Sequence, residues 1–209
     1  MSLIKSISGF RGTIGGKPGD NLTPIDAVKF AAAYGTWLKN QSDKTEYKVI
    51  VGRDARISGQ MVSQLVCSTL QGLGINIIDL GLSTTPTVEV MVTDLRADGG
   101  IILTASHNPK EWNALKLLNA KGEFVSAEDG AQILAYVDQD DYNFAEVDDL
   151  GSYETFDYAI DLHIDKILAL PLVNVEAIQK KNFKVAIDAV NSTGGIAIPK
   201  LLERLNVVH

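Results

Sequence analysis

Six consecutive residues, Thr104-Ala105-Ser106-His107-Asn108-Pro109, set a hydroxyl, an imidazole and an amide side by side. They follow the apolar run Gly100-Ile101-Ile102-Leu103. Open α/β sheets place their ligand sites at the carboxyl ends of such strands, and Pro109 restrains Asn108 before it. Three readings compete for Ser106. A hydrolase nucleophile elbow needs glycine two residues before and two after the serine. Thr104 and Asn108 stand there instead, and the adjacent His107 is badly placed as a base. A polar strand-end turn with no chemistry is the plainer alternative. The third reading is a phosphoryl carrier, because a serine phosphate carries close to two negative charges and needs cations or a metal around it.

Cations are available. Arg11 sits among Gly9, Gly12, Gly15 and Gly16, where the backbone can approach a ligand closely. Arg53 and Arg56 flank Asp54 just past an apolar run, and a structural Arg–Asp pair is the alternative for them. Lys116 follows Ser106 by ten residues on the next expected strand. It is either a solvated strand residue or a lysine held near a phosphate and a sugar hydroxyl, able to relay protons. His163 reads as a surface or packing residue. Three histidines and one cysteine show no zinc spacing. The aspartates between Asp138 and Asp149 lack the glycine and closing glutamate of a calcium loop, so they read as solvated. Asp188–Gly195 follows an expected strand and opens a helix, a place where anions bind, but it lacks the Walker lysine.

The elements that must position these residues can be read along the chain. Ser8–Gly16 is expected to be a loop, since glycines cost entropy inside regular elements. Thr23 caps a helix that starts at Pro24 and runs to about Lys39 on apolar helical spacing. Strands are expected at Val49–Val51, Gly74–Leu80, Gly100–Leu103 and Ala114–Leu118. Helices are expected from Ser58 to Gln71, from Thr84 to Leu95, and from the capping box at Ser126 to Val137. This alternation argues for an α/β domain over residues 1–140. Residues 141–154 are acidic and read as a linker. Residues 155–209 read as the beginning of a second α/β unit, with a helix near Thr155–Leu170, a strand at Val185–Asp188 and a helix at Ile198–Leu205. Asn206–His209 looks like a further strand, expected to be frayed or held by another molecule.

Composition narrows the class. The 209 residues include 45% hydrophobic and 22% charged side chains, those of a soluble globular chain with a sizeable core. Nineteen basic against 26 acidic residues leave a net charge of −7, which disfavours binding along a nucleic-acid backbone. The single cysteine, Cys67, forms no internal disulfide and reads as part of a buried helix face in a reducing compartment. The N-terminus lacks a signal-peptide pattern. Ile57–Ile78 is uncharged, but its glutamines and glycines make it a helix, turn and strand rather than a membrane span. We expect a cytoplasmic protein.

Together, Gly9-Phe10-Arg11-Gly12-Thr13, Gly52-Arg53-Asp54-Ala55-Arg56, Thr104–Pro109, Trp112-Asn113-Ala114-Leu115-Lys116 and the Asp188–Gly195 turn resemble the α-D-phosphohexomutase superfamily. That superfamily includes phosphomannomutase, phosphoglucomutase and phosphoglucosamine mutase. The resemblance implies a three-layer α/β first domain with a mixed sheet, followed by the start of a second, similar domain. It implies that Ser106 carries a phosphoryl group between hexose 1-phosphate and hexose 6-phosphate through a bisphosphorylated sugar. His107 matches a residue that contacts the reacting hydroxyl. Arg11 and Lys116 match the groups for charge stabilisation and proton relay, while Asn108 and Arg53 fall to substrate binding. The resemblance also implies Mg²⁺ shared by the Ser106 phosphate, with its other ligands on an Asp-Gly-Asp-Gly-Asp loop that this chain lacks. The chain alone is therefore expected to be inactive. Its partners would be hexose phosphates, with no nucleic acid or membrane, and the oligomeric state is left open. The family often has glycine where this chain has Ala114, so the turn there is expected to differ. A non-catalytic sugar-phosphate-binding module is the alternative, and within the enzyme reading the sugar could be glucosamine, glucose or mannose.

Overall fold

The computed structural model describes residues 2–6 and 9–209. Ser8, expected in the glycine loop, lies outside them. The strands are β1 (Ile4–Ser6), β2 (Gly9–Thr13), β3 (Tyr47–Arg53), β4 (Ile75–Leu82), β5 (Gly99–Leu103), β6 (Trp112–Leu118) and β7 (Tyr153–Thr155). The helices are α1 (Pro24–Lys39), α2 (Gly59–Gly72), α3 (Thr85–Asp94), α4 (Ala127–Gln139), α5 (Ala159–Leu168), α6 (Val175–Gln179) and α7 (Gly194–Arg204). All seven strands form one sheet in the order β1-β2-β6-β5-β3-β4-β7. The β3, β4, β5 and β7 pairings are parallel, while β1, β2 and β6 are joined antiparallel.

The period-two alternation of the strands builds three layers. Val49, Val51, Ile101, Leu103, Leu115 and Leu117 face one core with Phe30, Tyr34 and Leu38 of α1 and Val62, Val66 and Leu70 of α2. Ile50, Ile102 and Leu118 face the other core with Val88, Met91 and Val92 of α3 and Ala159 of α5. Both faces of the central strands are thus covered, which is why they read as continuous apolar runs. Local signals start the helices as expected: Thr23 with Asp26 and Ser126 with Asp129 form capping boxes on α1 and α4.

The glycine-rich segment is not a loop throughout. Gly9–Thr13 is strand β2, with Gly9 opposite Lys116 and Gly12 opposite Asn113. Gly9 has φ +138°, and a Cβ there would lie 2.1 Å from the Leu115 carbonyl oxygen. The glycine serves close backbone approach within a sheet. Phe10 then stacks on Phe30 with ring centroids 3.9 Å apart, fixing β2 against α1.

Residues after 140 remain attached to this sheet. The Ala145 N–H donates to the Gly72 carbonyl at 2.7 Å, and β7 pairs with β4. The helix expected from Thr155 begins only at Ala159, because Tyr153–Thr155 is drawn into β7. Its buried side holds Ala159, Ile160 and Ile164. Lys166 pairs with Asp94 of α3, and Lys200 of α7 pairs with Asp161 of α5 at 2.7 Å. Val185–Asp188 does not form the expected strand. Its segment makes a single parallel bridge, Lys184 to Val208, and one such bridge cannot propagate a ladder without further neighbours. The Asn206–His209 tail therefore pairs back onto its own chain: Val185 N–H donates to Val208 at 2.8 Å, and Val208 N–H to Phe183 at 3.2 Å.

Candidate active site

β5 ends at Leu103, and Thr104 and Ala105 are still buried. Ser106 and His107 then emerge exposed at the carboxyl edge of the sheet. Ser106 has φ +54°, a left-handed conformation that costs a non-glycine residue about 1–2 kcal/mol. Neighbouring bonds hold it. Ser106 N–H donates to Thr104 Oγ1 at 3.1 Å, and Thr104 Oγ1 donates to Asp54 Oδ2 at 2.6 Å. The Asn108 amide Nδ2 donates to the Ala105 carbonyl at 2.8 Å, so that end of the side chain braces the loop. His107 Nδ1 lies 3.5 Å from Ser106 Oγ, too far for a strong hydrogen bond.

Arg56, on the loop after β3, lies against the same turn. Its Nη2 donates to the carbonyls of Ser106 and Asn108, both at 2.8 Å. Nη1 donates to Pro109 at 2.7 Å and to Trp112 at 3.0 Å. Nε donates to Asp54 Oδ2 at 3.1 Å. The Arg–Asp pair visible in the sequence is present, but the four carbonyls are not foreseeable there. Asn113 also escaped the sequence reading. It is fully buried, and its Nδ2 donates to Ser58 Oγ at 2.9 Å, tying β6 to the start of α2.

The antiparallel register of β2 and β6 brings two cations together. Arg11 is opposite Ala114, and Gly9 is opposite Lys116, so Arg11 and Lys116 are diagonal neighbours on one face. That face is opposite the one where Phe10, Leu115 and Leu117 are buried. Both line a hollow of about 300 Å³ with Ser6, Gly9 and Ala114. The Lys116 ammonium lies 5.8 Å from the Phe124 ring centroid. Burial pushes the carboxyl of nearby Glu89 upward, and the Lys116 charge partly opposes this. Residues 112–118 are continuous strand, and Ala114 is extended. The altered turn expected at Ala114 is absent, because pairing on both edges holds β6 straight.

Arg53 faces elsewhere. Its Nη1 donates to the Asp54 carbonyl at 3.3 Å. It lines a cleft of about 450 Å³ with Gln60, Gln64, Asp79 and Tyr153, to which no residue of the Thr104–Glu111 loop contributes. The Asp188–Gly195 turn approaches the arginine loop, where the Ala55 N–H donates to Ser192 Oγ at 3.4 Å. The structure thus gathers Ser106, His107 and Asn108 with Asp54 and Arg56. It places Arg11 with Lys116 on adjoining strands and sets Arg53 apart.

The donor set does not fit a resident Mg²⁺, which takes about six oxygens in near-octahedral geometry. Among the described residues, no group of three or more His, Cys, Asp or Glu side chains gathers to hold a metal. Both oxygens of Asp54, the carboxylate bound to this loop, are engaged by Arg56 and Thr104. Among the described residues, no helix is long and apolar enough to cross a membrane.

Residues 3–144 match the family model described as phosphoglucomutase/phosphomannomutase, alpha/beta/alpha domain I. A phosphoglucomutase/phosphomannomutase of Thermococcus kodakarensis is 35% identical over 196 residues, 93% of this chain and 42% of that protein. A phosphoglucosamine/phosphogalactosamine mutase of Sulfurisphaera tokodaii is 32% identical over 206 residues, 98% of this chain and 43% of its own length. Among solved structures, a Thermus thermophilus protein described as a candidate phosphomannomutase superposes with a TM-score of 0.84 at 25% identity, covering 100% of this chain and 45% of that one. The chain therefore spans less than half the length of these relatives.

Proposed function

The chain belongs to the phosphoglucomutase/phosphomannomutase family, and from that premise we propose that Ser106 is the phosphoryl carrier of a phosphohexomutase. The observation that carries this reading is the exposed hydroxyl of Ser106, presented from a left-handed residue at the carboxyl end of β5. In the proposed step, a sugar hydroxyl oxygen attacks the phosphorus on Ser106. The new O–P bond forms as the Oγ–P bond breaks, and its electron pair stays on Oγ. The proton leaving the sugar hydroxyl passes to a nearby base, and Oγ is reprotonated. The bisphosphorylated sugar then returns its other phosphate to Oγ by the reverse displacement. Such transfers depend on positioning and on cations around the phosphoryl oxygens. Arg11 and Lys116 are proposed for charge stabilisation and proton relay, His107 for contact with the reacting hydroxyl, and Asn108 for substrate binding, with Arg53 binding substrate from the separate cleft it lines. The Mg²⁺ that the sequence resemblance implies would supply positive charge beside a phosphate on Ser106, and among the described residues no carboxylate set gathers to hold it.

On the same reading, residues 1–140 form the domain that carries the serine, 141–154 a linker whose end pairs with β4 as part of β7, and 155–209 the start of a second domain whose α5 packs on the first. The 209 residues alone would not turn over substrate, and the protein would be cytoplasmic. Glucosamine phosphate has the support of relatives named phosphoglucosamine mutase, and glucose and mannose phosphates that of the Thermococcus relative. A panel of the three 1-phosphates on the whole protein assigns the sugar. The test of the carrier is intact-mass analysis after incubation with a hexose 1,6-bisphosphate, together with turnover of Ser106→Ala in the whole protein. We expect one added phosphate on Ser106 and loss of turnover in the variant. Near wild-type rates in Ser106→Ala would overturn the proposal.

A further inference from the structure

We propose that Arg56 is a positioning residue whose guanidinium holds Ser106 in its left-handed backbone for phosphoryl transfer, and that it binds no substrate itself. The role in transfer rests on the reading of Ser106 above. A guanidinium has five N–H donors, and all five are spent: on Asp54 Oδ2 and on the carbonyls of Ser106, Asn108, Pro109 and Trp112. The side chain is only 11% exposed. No donor remains for a phosphate unless the loop is released.

The clasp reaches Ser106 from both sides. It holds the Ser106 carbonyl directly. It also holds the Ser106 N–H through a relay, since that N–H donates to Thr104 Oγ1 and Thr104 donates to Asp54 Oδ2. Asp54 is in turn fixed by the Arg56 Nε and by the Arg56 backbone N–H, the latter donating to Oδ1 at 3.0 Å. Both peptide groups that flank the Ser106 Cα are therefore pinned, and with them φ and ψ. The planar fork of arginine permits this. Lysine offers three donors on one nitrogen and cannot span two pairs of carbonyls.

The test compares Arg56→Lys and Arg56→Ala with wild type in two measurements. Amide hydrogen exchange on the 209-residue chain reads the clasp itself. Exchange over residues 104–112 should quicken in both variants, while that of α1 and β3 stays at wild-type rates. Steady-state kinetics on the whole protein read the role in transfer. Misplacement on the ångström scale lowers kcat about 100-fold, with KM for the hexose phosphate little changed, and added guanidinium ion should restore part of the Arg56→Ala rate. Unchanged exchange over 104–112, or a raised KM with kcat intact, would overturn the proposal. Should either variant fail to fold, Thr104→Val cuts the N–H arm, leaves the carbonyl arm and should quicken exchange most at Ser106; unchanged exchange there would overturn the clasp. If wild type neither accepts phosphate nor turns over hexose phosphate, the Ser106 reading fails, while the exchange measurement still decides whether Arg56 holds the loop.

Discussion

The Thr104 hydroxyl donates to Asp54 Oδ2 at 2.6 Å, and this one bond links the loop after β3 to the loop that carries Ser106. Thr104 is buried and Asp54 half-buried, so the Thr104 side of the bond is shielded from water. Thr104→Val keeps the shape and removes the hydroxyl. It leaves the Ser106 N–H without its acceptor and Asp54 Oδ2 with only the Arg56 Nε as donor. We expect a loss of about 1–3 kcal/mol, read by urea denaturation.

Gly9 tests the reassignment of the glycine segment to a strand. An alanine there would combine φ +138° with a Cβ 2.1 Å from the Leu115 carbonyl oxygen. Gly9→Ala should cost about 2 kcal/mol or more, since strained backbone conformations cost 1–3 kcal/mol before any clash is added. The denaturation midpoint checks this, and an unchanged midpoint would argue against β2 pairing with β6 at this register.

Ala114 gives the opposite expectation. It is buried and extended opposite Arg11. Ala114→Gly, which restores the residue common in the family, should destabilise by about 0.5–1 kcal/mol through backbone entropy. A gain in stability would show that the position favours a glycine conformation after all.

His163 sets a pH dependence. Its Nδ1 shares a hydrogen bond with Thr87 Oγ1 at 3.0 Å, and burial lowers its pKa below the ordinary 6.5. The unfolded imidazole therefore takes up a proton at a higher pH than the folded one, which favours unfolding as pH falls below about 6.5. Stability present above that value should decline toward pH 5.5. His163→Gln should flatten the decline, as measured by denaturation midpoints at several pH values.

Much of the fold was legible locally. The helix caps at Thr23 and Ser126 and the apolar runs of β3 to β6 appear where their patterns place them, because capping and side-chain alternation act over a few residues. Cys67 was legible as well: it is buried on α2, and burial pushes its thiol up to about 12. What depends on distant partners was not legible. Gly9–Thr13 becomes an interior strand because β6, a hundred residues later, pairs with the edge that β1 leaves free. Val185–Asp188 has strand composition, but among the described residues its segment makes one bridge, Lys184 to Val208, and no ladder.

The site divides in the same way. The residue types and order from Thr104 to Pro109, and the cations Arg11, Arg53, Arg56 and Lys116, are properties of the chain, and phosphate chemistry is one of the readings they allow before any fold is known. Where each cation sits is decided by tertiary structure. Strand register sets Arg11 beside Lys116. Arg53 is turned toward a separate cleft, while Arg56, three residues later, closes on four backbone carbonyls. Those carbonyls are common to every residue and leave no mark in a sequence, so only the folded geometry could reveal them as the partners of one guanidinium.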